Sequence, residues 1–410
     1  MTARAWVLLL SCSACNVAPP ERARESSETG AGGTVSRGMG GSAAPPSLSG
    51  DSEEPTSARD GSASSDGSSG SAGTAAREPS VPELSPPQEL APGLGIVIRQ
   101  RRLWIDGKPF FMAGVCWNPV KVGASQPEGL DFAGFAARDV PLLARLGVNV
   151  VRTYEPLLDL SVLDQLWQSG IYVVNAVYPS GAAAPTSAVA RVRAVKGHPA
   201  ILMWAIGNEW NYNGLYAGLS DGDSSARLNE VARLIKAEDP RHPVATIYGE
   251  LPSAATLSAL PNVDVWGINA YRGIGFAGLF ADWRARSDKP MFLSEYGADA
   301  YNADIPAYDP ASQALAVSSL SEELLENASA LHDSGVTLGG TVFEFVDEWW
   351  KDPSGSPSLH DVGGNAPGGG PFPDQVFNEE WWGLVDIERS TRPAYDSLRQ
   401  VFLTAQSLLD

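Results

Sequence analysis

From residue 93 to the end, the chain alternates between two hydrophobic rhythms. Short apolar runs read as buried strands, and between them lie segments with the 3.6-residue period of helices packed on one face. The runs are Phe111–Cys116, Val148–Thr153, Ile171–Val177, Ile201–Ile206, Val244–Tyr248, Val263–Ala270, Met291–Ser294 and Leu338–Phe345. The helical segments are Asp131–Leu146, Ser161–Gln168, Ser187–Val195, Ser224–Ala237, Ser253–Ala259, Phe276–Arg286, Ser312–Asp333 and Ala394–Leu408. Eight strands and eight helices in strict alternation predict an α/β fold, a single (β/α)8 TIM barrel over residues 93–410. An open doubly wound sheet is the alternative. It would show a Gly-rich phosphate turn after its first strand, where this chain has Gly114-Val-Cys-Trp-Asn-Pro119. Ahead of the first run, Ile96–Arg101 and Leu103–Ile105 alternate apolar and polar, and Asp106-Gly107 is a tight-turn pair. These read as hairpin strands closing the bottom of the barrel.

The pattern before residue 93 is different. Residues 1–15 read as an export signal: Arg4 supplies positive charge and Trp6–Leu10 a short apolar core. Leu9-Leu-Ser-Cys12 and Ser13-Ala-Cys15 each offer a lipoprotein acylation site, so a lipid anchor is expected at Cys12 or Cys15. The apolar run is too short to span a bilayer. Residues 16–92 are rich in Ser, Gly and Pro with almost no large apolar residue, and read as a disordered tether. Together these segments predict a protein secreted, or lipid-anchored at the bacterial cell envelope.

Composition narrows the function. The 410 residues carry 29 basic and 48 acidic side chains, a net charge of −19, which argues against nucleic-acid partners. Of three cysteines, two lie in the leader, and Cys116 is left as a small buried side chain, so no disulfide framework is expected. The four histidines, His198, His242, His332 and His360, are scattered, and no metal-ligand spacing or cofactor motif is found. The domain is expected to act as a monomer without metal or cofactor.

Chemistry in such barrels collects at the C-terminal ends of the strands. Those ends carry Trp117 and Asn118, Arg152 and Tyr154, Tyr178, then Asn208, Glu209 and Trp210, then Tyr248 and Glu250, Asn269, Tyr271 and Arg272, Glu295 and Tyr296, and finally Glu344, Asp347, Glu348, Trp349 and Trp350. There is no Ser or Cys nucleophile paired with His and no phosphate cradle. Aromatic rings beside carboxylates and amides suit a carbohydrate: ring faces stack on sugar C–H groups, and polar edges bond the hydroxyls. A buried strand that stops on Asn208-Glu209 is poor design for stability and good design for a site. The proposed pair is Glu209 and Glu295, one on each side of a glycosidic bond. Arg152 is the expected ion-pair partner of Glu295, Tyr271 an expected hydrogen-bond donor to it, and Glu344 a rival third carboxylate. Among Trp349, Trp350, Trp381 and Trp382, at least one is expected on the sugar.

Gly207-Asn-Glu209 and Ser294-Glu-Tyr-Gly297 resemble the strand-four and strand-seven motifs of the retaining glycoside hydrolase clan. Val151-Arg-Thr153, Gly207-Asn-Glu209 and Gly339-Gly-Thr-Val-Phe343 are similar to family 2 catalytic barrels. Asp264-Val-Trp-Gly-Ile-Asn-Ala-Tyr271, Phe292-Leu-Ser-Glu-Tyr-Gly297 and Trp382-Gly-Leu-Val385 are similar to family 72 β-1,3-glucanosyltransferases. The chain lacks the β-sandwich domains that normally precede a family 2 barrel, and the cysteines typical of family 72. The resemblance implies that Glu209 is the acid and then the base, that Glu295 is the nucleophile, and that Asn208 bonds the sugar 2-hydroxyl. It further implies that Arg152 and Tyr271 orient Glu295, and that the substrate is a β-glycan whose cleavage ends on water or on a second sugar. Neighbouring Glu295 should raise the pKa of Glu209. A non-catalytic glycan-binding protein and a cell-surface scaffold are the rival readings.

Overall fold

The computed structural model describes residues 95–351 and 366–410; the segments expected to form an export signal, with Cys12 and Cys15, and a tether lie outside the described residues. Eight parallel strands close into a barrel: β1 (Met112–Cys116), β2 (Val150–Arg152), β3 (Tyr172–Tyr178), β4 (Ile201–Ile206), β5 (Val244–Gly249), β6 (Val265–Asn269), β7 (Met291–Tyr296) and β8 (Thr337–Val342). Each pairs with its neighbour in sequence, and β8 closes on β1 with Gly340 opposite Ala113 and Val342 opposite Val115. A strand buried on both faces needs continuous apolar sequence, which is why all six residues of β4 are buried. The doubly wound alternative is excluded by this closure.

Inward-facing side chains of Met112, Val150, Val174, Met203, Ala245, Ile247, Val265 and Phe292 fill the barrel. Leu103 and Ile105, from a three-stranded antiparallel sheet over Val97–Phe110, join that cluster. The third strand, Lys108–Phe110, turns back at Asp106 (φ 50°) and Gly107 (φ 80°). Outward-facing residues such as Val151, Val173, Ile201 and Trp266 meet the helices in a second cluster.

The helices begin where side chains can cap them. Asp131 accepts from Gly134 N at 2.9 Å ahead of Phe132–Leu146, and Ser220 from Asp223 N at 3.1 Å ahead of Asp221–Glu238. The helix expected at Ser312–Asp333 runs Pro310–Glu326 instead. It stops because the backbone N–H groups of both Val336 and Thr337 donate to Asn327 O, which folds the chain straight into β8. Strand eight was expected to reach Phe345 and the regular ladder ends at Val342, yet Phe343 N still donates to Tyr296 O and Phe345 N to Cys116 O. The segment therefore stays between β7 and β1 and brings Phe343 and Glu344 over the top of the barrel.

Candidate active site

At the C-terminal ends of the strands, a cavity of about 410 Å³ holds Glu209 and Glu295 on one wall system, with Asn208, Tyr154, Asn269 and Tyr271 between and beside them. Glu295 is the second-to-last residue of β7, a strand whose six residues are all buried. Its Oε1 accepts from Arg152 Nη1 at 2.8 Å and from Tyr154 OH at 2.8 Å, and its Oε2 accepts from Tyr271 OH at 3.0 Å. Burial pushes the phenols of Tyr154 and Tyr271 well up, so both keep their protons and donate. Burial works against the charge of Arg152, and the Tyr154, Cys116 and Glu295 groups around it more than offset that, so it stays a cation.

Arg152 also organises the other end of the site. Its Nη2 donates to Asn208 Oδ1 at 2.6 Å, and its Nη1 to the Ser294 carbonyl at 2.8 Å. Ser294 Oγ in turn donates to Asn269 Oδ1 at 2.7 Å, which fixes the amide of Asn269. One guanidinium thus spans β2, β4 and β7.

Glu209 follows β4 through a sharp reversal. Gly207 lies at φ 68°, a conformation that suits glycine, and Glu209 itself sits at φ 44°, ψ 38°. A bulky residue in the left-handed region is strained, and such strain is characteristic of sites where a side chain must be aimed. Glu209 is buried, and its pKa is pushed up to about 8 by burial and then by the neighbouring Glu295 carboxylate, against a hydrogen bond from Asn269 and the charge of Arg152. The pair therefore has the asymmetry that acid–nucleophile chemistry requires: one carboxyl biased towards its proton, the other held by a guanidinium and two phenols.

The site residues read from the sequence separate into two groups. Glu209, Glu295, Asn208, Tyr154 and Tyr271 line the cavity, and Arg152 stands directly behind them. Trp350 also lines it. The structure does not bring Trp117 or Trp210 to the cavity. Trp117 is fully buried and donates to Asp139 Oδ2 at 3.0 Å, and Trp210 is buried and donates to Thr246 Oγ1 at 3.0 Å. Asn118 lies one step behind, its amide donating to Gln126 Oε1 at 2.7 Å, and Gln126 is the residue at the wall. Trp349 packs against Trp381 with ring centroids 5.0 Å apart, and Trp382 packs against Tyr271 and Phe377. Glu344 is fully buried behind the wall, and neither carboxyl oxygen has a hydrogen-bond partner among the described residues. Burial, followed by the nearby Glu348, pushes its pKa well up, which makes it a poor rival for an ionised nucleophile.

Sequence reasoning missed Tyr212, Tyr216, Glu155, Lys351 and Glu379 as wall residues. Tyr212 comes from a one-turn helix, Trp210–Asn213, that the reversal at Glu209 starts. Gly249 on β5 makes room for it: a Cβ there would fall 2.1 Å from Tyr212 Cε2. The pairing of that glycine with a tyrosine 37 residues earlier leaves no local mark in the sequence. Cys116 is buried beneath Glu295, and burial pushes its thiol up to about 11, in keeping with a packed, unreactive side chain. Among the described residues no group of three or more His, Cys, Asp or Glu is arranged to hold a metal ion.

A closed parallel barrel with a carboxylate pair at its C-terminal mouth defines the domain as a TIM barrel whose candidate site lies where the chemistry of such barrels collects. Residues 176–312, which include Glu209 and Glu295, match the glycosyl hydrolases family 2 TIM barrel domain. The matched part of the barrel thus resembles the family 2 catalytic barrel, as Gly207-Asn-Glu209 suggested; Val151-Arg-Thr153 and Gly339–Phe343 lie outside the match. Among curated proteins, the β-glucuronidase of Pongo abelii is 28% identical over 228 residues, covering 50% of this chain and 33% of that protein. The human β-glucuronidase is 27% identical over 228 residues with the same coverage, 50% and 33%. The chain therefore spans about a third of the length of these relatives. Among solved structures, Faecalibacterium prausnitzii β-glucuronidase superposes with a TM-score of 0.54 at 20% identity, covering 76% of this chain and 52% of that one. A GH2 β-galacturonidase from Eisenbergiella tayi bound to galacturonate gives 0.53 at 18%, covering 76% and 54%. At these identities the superpositions speak to the fold.

Proposed function

We propose that the protein is a retaining β-glycosidase in which Glu209 is the acid and then the base and Glu295 is the nucleophile. The observation that carries this is the asymmetry of the pair in one cavity: Glu295 bonded by Arg152, Tyr154 and Tyr271, and Glu209 with a pKa of about 8. In the first step a carboxylate oxygen of Glu295 attacks the anomeric carbon. Glu209 gives its proton to the glycosidic oxygen, and the aglycone leaves as an alcohol. Esterification removes the negative charge of Glu295, which lowers the proton affinity of Glu209. Glu209 then accepts a proton from the incoming water, the glycosyl–enzyme bond breaks, and both carboxyls return to their starting states. A second sugar hydroxyl in place of water would make the product a new glycoside; the family 2 relatives favour water. The Asn208 carbonyl oxygen is engaged by Arg152, which leaves its NH2 group to donate to a sugar hydroxyl.

The direct test is Glu295→Gly with an activated aryl β-glycoside and azide. Recovery of an azido-sugar of inverted configuration relative to substrate supports the assignment. Absence of wild-type turnover across a broad aryl glycoside panel overturns the glycosidase reading in favour of glycan binding alone. The same proposal sets the enzyme at the cell envelope through acylation at Cys12 or Cys15. Labelled palmitate should enter the wild type and not the Cys12→Ser/Cys15→Ser double variant.

A further inference from the structure

The wall of the cavity carries a second charged cluster, beside the group formed by Glu209, Glu295 and Arg152. Lys351 Nζ pairs with Glu348 Oε2 at 3.5 Å and with Glu379 Oε2 in close contact, and lies 4.9 Å from the centroid of the Trp350 ring. All four side chains border the cavity. Lys351 is the one cationic side chain among the described residues that line it, and two carboxylates share it.

The remaining charges nearby follow the same pattern. Arg152 is committed to Glu295 and Asn208. Arg272 is bound through two nitrogens to Glu250, at 3.1 and 2.5 Å. Glu155 stands at the wall, half-buried, with burial pushing its pKa up. Among the described residues the cavity wall thus has carboxylates in excess of cations, and Lys351, Arg152 and Arg272 each already have an anionic partner from the chain. A ligand carboxylate brought here would have to displace Glu348 or Glu379 from Lys351 and leave that group buried without its partner, which is unfavourable on both counts.

We propose that the Glu348–Lys351–Glu379 cluster is a specificity device that excludes uronic acids, so that the sugar cleaved between Glu209 and Glu295 carries no carboxylate. This rests on the glycosidase reading above and sets the chain apart from the β-glucuronidases and β-galacturonidase it resembles. Lys351 is here a structural counter-ion for two glutamates, and a ligand carboxylate meets a wall rich in carboxyl groups.

The test compares wild-type kcat/KM on p-nitrophenyl β-D-glucuronide and β-D-galacturonide with the matching β-D-glucoside and β-D-galactoside. At least one neutral sugar should exceed its uronide by on the order of 100-fold or more. A uronide turned over as well as, or better than, its neutral parent overturns the proposal. Glu348→Gln, and separately Glu379→Gln, partly releases Lys351, and the uronide-to-neutral ratio should rise about tenfold. An unchanged ratio in both folded variants also overturns it, because the cluster then does not set the preference. Calorimetric binding of methyl β-D-glucuronide against methyl β-D-glucoside to the wild-type protein gives an answer that does not need turnover. Weaker binding of the uronide upholds the inference even if no glycoside is cleaved, and equal or tighter binding refutes it.

Discussion

Arg152 Nη1 donates to Glu295 Oε1 at 2.8 Å, an ion pair in which both side chains are almost wholly shielded from water, at 1% and 8% exposure. The second nitrogen of the same guanidinium holds Asn208 at 2.6 Å, so a planar fork fixes the spacing between the residue before Glu209 and Glu295 itself. A lysine offers one point of charge and cannot hold both. Arg152→Lys should therefore lower kcat about 100-fold with a much smaller change in KM, read from steady-state kinetics on an aryl β-glycoside. Arg152→Ala leaves Glu295 buried without its cation and should cost roughly 3–5 kcal/mol of stability in denaturant unfolding. Equal activity of the lysine variant and wild type would show that the fork is structural decoration.

The pH profile follows from Glu209. The proposed mechanism needs this group protonated at the start, and burial with Glu295 beside it raises its pKa to about 8. The alkaline limb of kcat/KM in the free enzyme should therefore fall near pH 8. Asn269 contributes a hydrogen bond that lowers the same pKa, so Asn269→Ala should move that limb to higher pH. A limb at pH 5 to 6 in the wild type would show that Glu209 is not the acid.

The raised pKa of Glu209 has a thermodynamic counterpart. The unfolded chain releases this proton near pH 4.5, whereas the folded protein keeps it until about pH 8. Across that window the native state binds more protons than the unfolded state, so the contribution favours folding at low pH and is lost as pH rises through the folded value. Glu209→Gln removes the dependence. Urea unfolding at pH 5 and pH 8 should show the variant gaining on wild type by on the order of a few kcal/mol between the two. A constant difference at both pH values would contradict the burial of this carboxyl.

Much of this architecture is legible in the chain because buried parallel strands leave an unmistakable mark. Ile201–Ile206 is apolar throughout since both of its faces are covered, and its abrupt end on Asn208 and Glu209 points to the site. What is not legible depends on long-range geometry. Tryptophan beside a catalytic motif reads equally as a sugar platform or as packing, and Trp117 and Trp210 are packing because Asp139 and Thr246 take their N–H groups inside the wall. Glu379 reaches Lys351 across 28 residues of chain with no periodic signal, so their pairing becomes visible only once β8 and the segment after it are folded.

Trp210 lies at 1% exposure and donates to Thr246 Oγ1, which itself donates to the Ile206 carbonyl, so the indole ties the turn carrying Glu209 to β4 and β5. Trp210→Phe should lose a buried hydrogen bond and destabilise the fold by about 1–2 kcal/mol, with KM for a glycoside substrate nearly unchanged. Tyr212 and Tyr216 face the cavity from the next turn, on the side that Glu209 occupies. Tyr212→Ala and Tyr216→Ala should do the reverse, raising KM several-fold while unfolding midpoints shift little. The contrast is decided by measuring both quantities on all three variants. A raised KM in Trp210→Phe with unaltered stability would mean that this indole, and not the tyrosines, is the surface on which the sugar rests.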